Sequence, residues 1–137
     1  MLTPHPGEAA TLLGCSTTEV QADRLAGALK IAITYNAITV LKGCGSVIAV
    51  PDGRWYINAS GNPGMASAGM GDVLSGIIGG LAAQGMDLLD ASLLGVHLHG
   101  AAADSLVADG VGPLGLTASE VALEARNLLN EWIYGTP

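Results

Sequence analysis

A glycine-rich loop that leads directly into an apolar helical run, at residues 61–76, constrains the fold of this chain more than any other segment. Glycines permit tight bends and a close backbone approach to a ligand. The unpaired N–H groups of a first helical turn attract an anion. Asp72 stands where the helix begins, better placed to remove a proton than to bind phosphate. The segment predicts a base beside an anion hole formed by the backbone of Ala68, Gly69, Met70 and Gly71.

A structural role for this loop is the alternative interpretation, because an acidic residue commonly caps a helix. A cap alone, however, requires neither the Asn62-Pro63 pair nor the three small residues at 66–68. These additional residues favour the functional interpretation.

The rest of the pattern predicts an α/β chain with few strands and about four helices. After a proline-rich loop at 1–8, a helix is expected over about 18–34, with Val20, Leu25, Leu29 and Ile33 on its apolar side. A strand at 38–41 and a hairpin around an Asp-Gly turn follow, the hairpin strands lying at 47–50 and 55–58. Three further helices are predicted, over about 72–84, 87–108 and 118–132.

Several residues are typical of helix ends. A capping box is expected from Ser16 with Glu19, or from Thr18 with Gln21, and another from Thr117 with Glu120. Asn36 is predicted to be a left-handed C-cap. Glycines at 76, 79 and 80 would let another element pack closely against the helix that follows the glycine loop.

Composition excludes several classes of protein. With 137 residues, half of them hydrophobic and 12% charged, the chain is long enough for one folded domain over 1–137. A net charge of −7 with five scattered basic residues argues against nucleic-acid binding. The longest apolar stretch, 73–83, is too short to cross a bilayer, and the first residues do not resemble a secretion signal. Cys15 and Cys44 are expected to be free thiols of a cytoplasmic protein.

A second candidate site follows the strand at 38–41, in the segment Lys42-Gly-Cys-Gly-Ser46. Its backbone amides can approach a phosphate, with Lys42 adding a cation and Ser46 a hydroxyl. The segment lacks P-loop spacing and precedes a strand, so a simple turn is the alternative.

The histidines and the remaining acidic residues have less specific settings. His5, held between two prolines, is a candidate substrate contact, and Glu8 a candidate support for a neighbouring loop; a solvated surface histidine is the alternative. His97 and His99 cannot form a metal pair two residues apart on a helix, and a packed histidine is favoured. No metal site is predicted. The aspartates at 87, 90, 104 and 109 are expected to be caps or solvated, and Trp55 and Trp132 core or partner contacts.

Taken together, the segments at 3–8, 40–46 and 58–72 and the helix through Gly85 resemble the ADP/ATP-dependent NAD(P)H-hydrate dehydratases over nearly the whole chain. The resemblance implies a ribokinase-like αβα sandwich. It also implies that ADP or ATP, with Mg²⁺, phosphorylates the C6 hydroxyl of (6S)-NAD(P)H hydrate, and that loss of phosphate restores NAD(P)H.

By this resemblance, His5 and Asp72 contact the hydrate and Asp72 is the catalytic base. The nucleotide contacts it implies are Lys42, Gly43, Cys44, Gly45, Ser46 and Gly71. The family's domain is considerably longer, so we expect the C-terminal half of the sandwich, from a fragment, a truncated gene or a split enzyme. Its expected partners are a second copy of the chain or the missing N-terminal half.

Two other functions fit the sequence. Ribokinase-like kinases of small alcohols, such as thiazole or hydroxymethylpyrimidine kinases, also carry Gly-x-Gly-Asp, although the Asn62-Pro63-Gly64 segment favours the dehydratase. The chain can also be read as an inactive half-domain that persists as an oligomer through an exposed sheet edge.

Overall fold

The computed structural model describes residues 1–135, which form six α-helices, three short β-strands and one 3-10 turn. The helices are α1 (Pro6–Leu13), α2 (Thr17–Ala22), α3 (Arg24–Tyr35), α4 (Met70–Ala83), α5 (Leu88–Ala108) and α6 (Ala118–Tyr134). The strands are β1 (Thr39–Leu41), β2 (Val47–Ala49) and β3 (Trp55–Ile57), and the 3-10 turn is Pro63–Met65.

These elements fall into two compact units. Unit 1 comprises Met1–Asn58 and Asp87–Leu93, and unit 2 comprises Ala59–Met86 and the chain from Leu94 onward. The single partial domain expected over 1–137 stays a prediction.

Unit 1 contains an antiparallel sheet in the order β1-β2-β3. Val40 faces Ile48 across the first pair and Ile48 faces Tyr56 across the second, which confirms the predicted hairpin. β1 and β2 are buried throughout, whereas β3 is exposed throughout. Helices α1, α2 and α3 contribute to one apolar core with β1 and β2, centred on Ile31, Leu41 and Val47.

Two helix predictions in unit 1 were wrong. Residues 1–8 were expected to be a loop, but α1 begins at Pro6, a residue that the first helical position tolerates well. The single helix expected over 18–34 is two helices that meet at Asp23, whose side chain accepts a hydrogen bond from the Ala26 amide, 2.9 Å away. Ile33, expected on the apolar side, is exposed.

Other helix ends agree with the sequence. The Ser16–Glu19 capping box is present, and Asn36 has the predicted left-handed conformation, with φ 46°. The Thr117–Glu120 box opens α6 in unit 2. Local hydrogen bonding at these positions therefore follows the residue types alone.

Unit 2 contains α4, α6 and most of α5 around a second core that includes Met70, Leu98 and Val121. The expectation of close packing at glycines 76, 79 and 80 was wrong for the described part of the chain. A Cβ added at any of these three positions would meet no atom within 4 Å. Close packing occurs instead at Gly100 of α5, where an added Cβ would lie 2.7 Å from the Ser60 carbonyl carbon.

None of the helices within residues 1–135 combines the length and the apolar character that crossing a bilayer requires.

Candidate functional site

The predicted site residues are divided between the two units. Unit 1 holds His5 and the 42–46 segment, and unit 2 holds the glycine loop with Asp72.

The start of the chain lies beside β1 and brings His5 to the 42–46 segment. The Leu2 amide donates to the Ile38 carbonyl, and the Val40 amide donates to the Leu2 carbonyl, both at 2.8 Å. The Lys42 amide then donates to the Pro4 carbonyl at 2.9 Å. Because the two segments run parallel, His5 and the turn after β1 emerge at the same edge.

His5 is the N-cap of α1. Its Nδ1 accepts hydrogen bonds from the amides of Gly7 and Glu8, at 3.1 and 3.2 Å, and its own amide donates to the Glu8 carboxylate at 2.7 Å. Since Nδ1 is the acceptor, the ring proton of the neutral imidazole is on Nε2. A Cβ at residue 7 would lie 3.0 Å from the His5 ring, so the absence of a side chain at Gly7 leaves space for the ring. The ring is exposed yet held in one orientation.

Glu8 connects His5 to Lys42. One carboxylate oxygen lies 3.8 Å from the Lys42 ammonium nitrogen and the other 3.6 Å from His5 Nε2. The hydrogen bond from the His5 amide, aided by the nearby Lys42 charge, lowers the pKa of Glu8. Glu8 therefore supports the neighbouring 42–46 loop, as the sequence indicated, and partly neutralises Lys42.

The 42–46 loop is closed by its own serine. The Gly43 amide donates to Ser46 Oγ at 3.3 Å, and Ser46 Oγ lies 3.2 Å from the Gly43 carbonyl. Arg24 supports the loop: its guanidinium donates to the carbonyls of Cys44 and Leu41. Gly43 has φ 152°, which other residues rarely adopt, and an added Cβ would lie 2.6 Å from Arg24 Nη2, so a larger residue would strain the backbone and displace the guanidinium. Cys44 is exposed between the two glycines.

An open groove of about 400 Å³ adjoins this cluster, with a largely apolar lining. It is lined by Leu2, Thr3, Pro4, Glu8, Thr11 and Leu12. Glu8 thus borders both the groove and the Lys42 ion pair, and unit 1 offers apolar space next to its charged groups.

In unit 2, the glycine loop is attached to its surroundings at three places. Ser60 Oγ donates to the His97 carbonyl at 3.0 Å, and Ser67 Oγ donates to the Leu116 carbonyl at 3.1 Å. Between them, Asp104 accepts hydrogen bonds from the Gly61 amide and the Asn62 side chain. The loop is therefore held along its length rather than only at its ends.

The loop delivers the chain to the N-terminus of α4. Gly69 is the N-cap with φ 85°, and no side chain caps this end among residues 1–135. Asp72 lies in the first turn and is exposed. The Met70 amide donates to the Ser67 carbonyl, 3.5 Å away. Within the described residues, the Gly71 and Asp72 amides have no side-chain cap and are available to an anion, which the helix dipole favours there.

Two supporting residues were missed or misjudged from the sequence. Asp104, expected to be a cap or solvated, is half-buried and bonded to the glycine loop. Arg24 was regarded only as a scattered cation. Asp104 carried a signal, a charge inside the largely apolar segment 98–107, whereas Arg24 carried none, because the helix predicted over 18–34 continues through it.

The other histidines have structural settings. His99 is 6% exposed, and burial lowers its pKa to about 4. This confirms the packed histidine. His97 is exposed and stacks on Trp132, with ring centroids 5.8 Å apart. Within the described residues, no group of three or more His, Cys, Asp or Glu is arranged to hold a metal ion.

Comparison with known proteins gives a consistent family. The family model for NAD(P)H-hydrate dehydratase matches residues 1–124. The chain is 51% identical over 130 residues to the ADP-dependent (S)-NAD(P)H-hydrate dehydratase of Neisseria meningitidis, covering 95% of this chain and 44% of that protein. It is 49% identical over 131 residues to the bifunctional NAD(P)H-hydrate repair enzyme of Escherichia coli, covering 95% of this chain and 25% of the relative.

Similar solved structures indicate the same family. The ADP/ATP-dependent NAD(P)H-hydrate dehydratase of Bacillus subtilis, co-crystallised with ATP and Mg²⁺, superposes with a TM-score of 0.90 at 35% identity, covering 96% of this chain and 47% of that chain. A ribokinase-like protein of Enterococcus faecalis superposes with a TM-score of 0.78 at 26% identity, covering 96% and 44%. The predicted ribokinase-like fold is confirmed, with six helices rather than about four in the described residues.

The chain thus spans less than half the length of these relatives. The family match covers most of the chain itself, from its first residue to position 124. The chain belongs to the NAD(P)H-hydrate dehydratase family.

Proposed function

We propose that this chain contributes to the ADP- or ATP-dependent dehydration of (6S)-NAD(P)H hydrate. The nucleotide's terminal phosphoryl group is transferred to the C6 hydroxyl, whose proton is removed, and ADP becomes AMP or ATP becomes ADP. The ring nitrogen's electron pair then expels phosphate, and loss of a proton restores the double bond of NAD(P)H. One observation carries the proposal. The glycine loop lies within the family match, is held at three places, and leads into the N-terminus of α4. That N-terminus has no side-chain cap among the described residues, and Asp72 is exposed in its first turn.

The proposed roles follow from the chemistry of the transferred group. Phosphoryl transfer depends mainly on positioning and on stabilising charge. The backbone of Ala68, Gly69, Met70 and Gly71 would bind the transferring phosphoryl group, because amide donors at a helix N-terminus suit an anion. Asp72 would accept the hydroxyl proton.

Unit 1 would supply the other contacts. We assign the nucleotide to the segment Lys42, Gly43, Cys44, Gly45 and Ser46, together with Gly71. Lys42 would exchange its contact with Glu8 for a phosphate. His5 would contact the hydrate, since its cap to α1 fixes the exposed ring and leaves the proton on Nε2 as its donor. Mg²⁺ would enter with the nucleotide, because this ion binds largely through phosphates and water.

The direct test is recovery of reduced-nicotinamide absorbance after mixing the purified chain with NADH hydrate and ADP or ATP. We expect recovery in the wild type and a loss of at least about 100-fold in Asp72→Asn, which keeps the shape but removes the base. Asp90→Asn, in α5, is a matched control and should retain activity. Unchanged turnover in Asp72→Asn would show that Asp72 is not the base.

The same assay separates the alternatives. Phosphorylation of a thiazole alcohol without recovery of NADH would identify a small-molecule kinase instead. A folded chain with no nucleotide affinity would identify an inactive half-domain. Because the chain spans under half the length of its relatives, the assay is repeated after measuring mass in solution, to find whether the active form is a homo-oligomer or requires the other half of the sandwich.

The two free cysteines agree with the proposed cytoplasmic location.

A further inference from the structure

Asp104, in the second half of α5, forms the central attachment of the glycine loop. One carboxylate oxygen accepts from the Gly61 amide at 2.8 Å, and the other accepts from Asn62 Nδ2 at 2.9 Å. The two donors are 43 and 42 residues away along the chain. Both oxygens of a half-buried carboxylate are therefore committed to the first two residues of the loop. Hydrogen bonds to an ionised acceptor are among the stronger ones in proteins.

Asn62 links Asp104 to the residues that follow it in the loop. With its amide nitrogen turned to Asp104, its Oδ1 accepts from the Gly64 amide at 3.0 Å and caps the 3-10 turn Pro63–Met65. Gly64 packs so closely on the 113–116 segment that an added Cβ would lie 2.6 Å from the Pro113 carbonyl oxygen. Asp104 thereby sets which way the Asn62 amide faces, and Asn62 sets the turn.

The turn precedes the proposed phosphate-binding backbone by only a few residues. After Met65, Ser67 donates to the Leu116 carbonyl, and Gly69 is then the N-cap of α4, in a left-handed conformation. A displacement at 61–64 would pass along this short segment to the amides at 68–71. In phosphoryl transfer, errors of about 1 Å in such positions are costly.

We propose that Asp104 is a positioning residue for the reaction, acting through Asn62 and the 3-10 turn on the phosphate-binding amides and Asp72. This inference rests on the proposed function for its catalytic consequence. Its structural part, the control of the 61–72 loop by one carboxylate on α5, stands on the hydrogen bonds alone.

The first test is Asp104→Asn. This substitution keeps the size of the side chain but replaces one carboxylate oxygen with an NH₂ group, which is a donor like the Gly61 amide and Asn62 Nδ2 that it would face. We expect kcat to fall about 10- to 100-fold, while KM for the nucleotide changes less than about threefold because most of the proposed nucleotide contacts, those in the 42–46 segment, are untouched. Glu124→Gln is the matched control. It weakens the 2.7 Å bond from Ser105, the residue next to Asp104, without touching the loop, and should retain kcat.

The second test is a reciprocal exchange. In the double variant Asn62→Asp with Asp104→Asn, the amide introduced at position 104 donates to the carboxylate introduced at position 62. The remaining acceptors still receive the Gly61 and Gly64 amides. We expect the double variant to recover most of the kcat lost in Asp104→Asn. Failure of this rescue, with both proteins folded, would contradict the assigned hydrogen-bond directions and overturn the proposal.

A third measurement does not depend on activity. Hydrogen exchange of the amides at 61–72, in the ligand-free chain, should be at least about tenfold faster in Asp104→Asn than in wild type and unchanged in Glu124→Gln. If the wild type has no dehydratase activity, either alone or with the other half of the sandwich, the proposed function fails and exchange alone decides the positioning role. Unchanged exchange in Asp104→Asn, or unchanged kcat in an active background, overturns the inference.

Discussion

Three histidines show how the environment of a residue decides its role. His5 is exposed but bound at Nδ1 by two backbone amides, so its ring is ordered without burial. His97 is exposed and stacked on Trp132. His99 is buried, and its Nε2 has no hydrogen-bond partner within the described residues. Of the three, His5 is the one whose ring is both exposed and fixed by hydrogen bonds.

The buried His99 should make stability depend on pH. Burial lowers its folded pKa from 6.5 to about 4, so the unfolded chain takes up a proton at a higher pH than the folded chain does. The contribution of neutral His99 to the free energy of unfolding is fully present above about pH 6.5 and is lost as the pH falls toward 4. Between pH 7.5 and 5, the free energy of unfolding should fall by about 2 kcal/mol from this group. Urea unfolding followed by circular dichroism measures the change.

Two variants isolate this contribution. His99→Leu should remove most of the loss between pH 7.5 and 5, and His97→Gln should leave it in place. The window stops at pH 5 because Glu8, Glu19 and Glu120, whose pKa values are lowered by local hydrogen bonds, contribute their own loss in more acidic solution. An equal pH dependence in wild type and His99→Leu would contradict the assignment.

At the scale of secondary structure, the sequence predicted what local hydrogen bonding decides. The Ser16–Glu19 and Thr117–Glu120 boxes and the β2–β3 hairpin formed as expected. α1 was missed because histidine is an unusual N-cap, and its capping depends on Gly7 leaving room for the ring. The break at Asp23 was missed because the apolar spacing continues across it. Asp104 was misjudged because its partners are over 40 residues away.

Glycines in helices also show that residue spacing does not reveal contacts between segments far apart in the chain. Sequence suggested close packing at 76, 79 and 80 of α4, where space is open, but at Gly100 of α5 an added Cβ would lie 2.7 and 2.8 Å from the Ser60 carbonyl carbon and oxygen. Gly100→Ala should therefore lower the free energy of unfolding by about 1–3 kcal/mol. Gly79→Ala should raise it by about 0.5–1 kcal/mol, because alanine favours the helix and nothing opposes its methyl group. Urea unfolding at neutral pH compares the pair, and equal effects would show that Gly100 is not tightly packed.

At the scale of the whole molecule, the balance of charge is unusual for a protein proposed to bind a nucleotide. The chain carries a net charge of −7, with five basic residues. At the proposed nucleotide contacts in unit 1, Lys42 is already paired with Glu8, and the Arg24 guanidinium already donates to the carbonyls of Cys44 and Leu41. The attraction for phosphate must therefore come mainly from backbone amides, whose dipoles act over a short range. Long-range Coulomb forces oppose the approach of the ligand.

This balance predicts the sign of the salt effect on ADP binding. Repulsion between the chain and an ADP of charge about −3 amounts to a few kcal/mol before screening, and it is largely removed at 0.15 M salt, where the Debye length is about 8 Å. We expect ADP affinity, measured by calorimetry without Mg²⁺, to rise at least about threefold between 0.01 and 0.15 M NaCl. Adenosine, which is uncharged, is the control and should bind equally at both concentrations. A phosphate site built on cations shows the opposite slope, so falling ADP affinity would mean that Lys42 and Arg24, rather than backbone amides, dominate recognition.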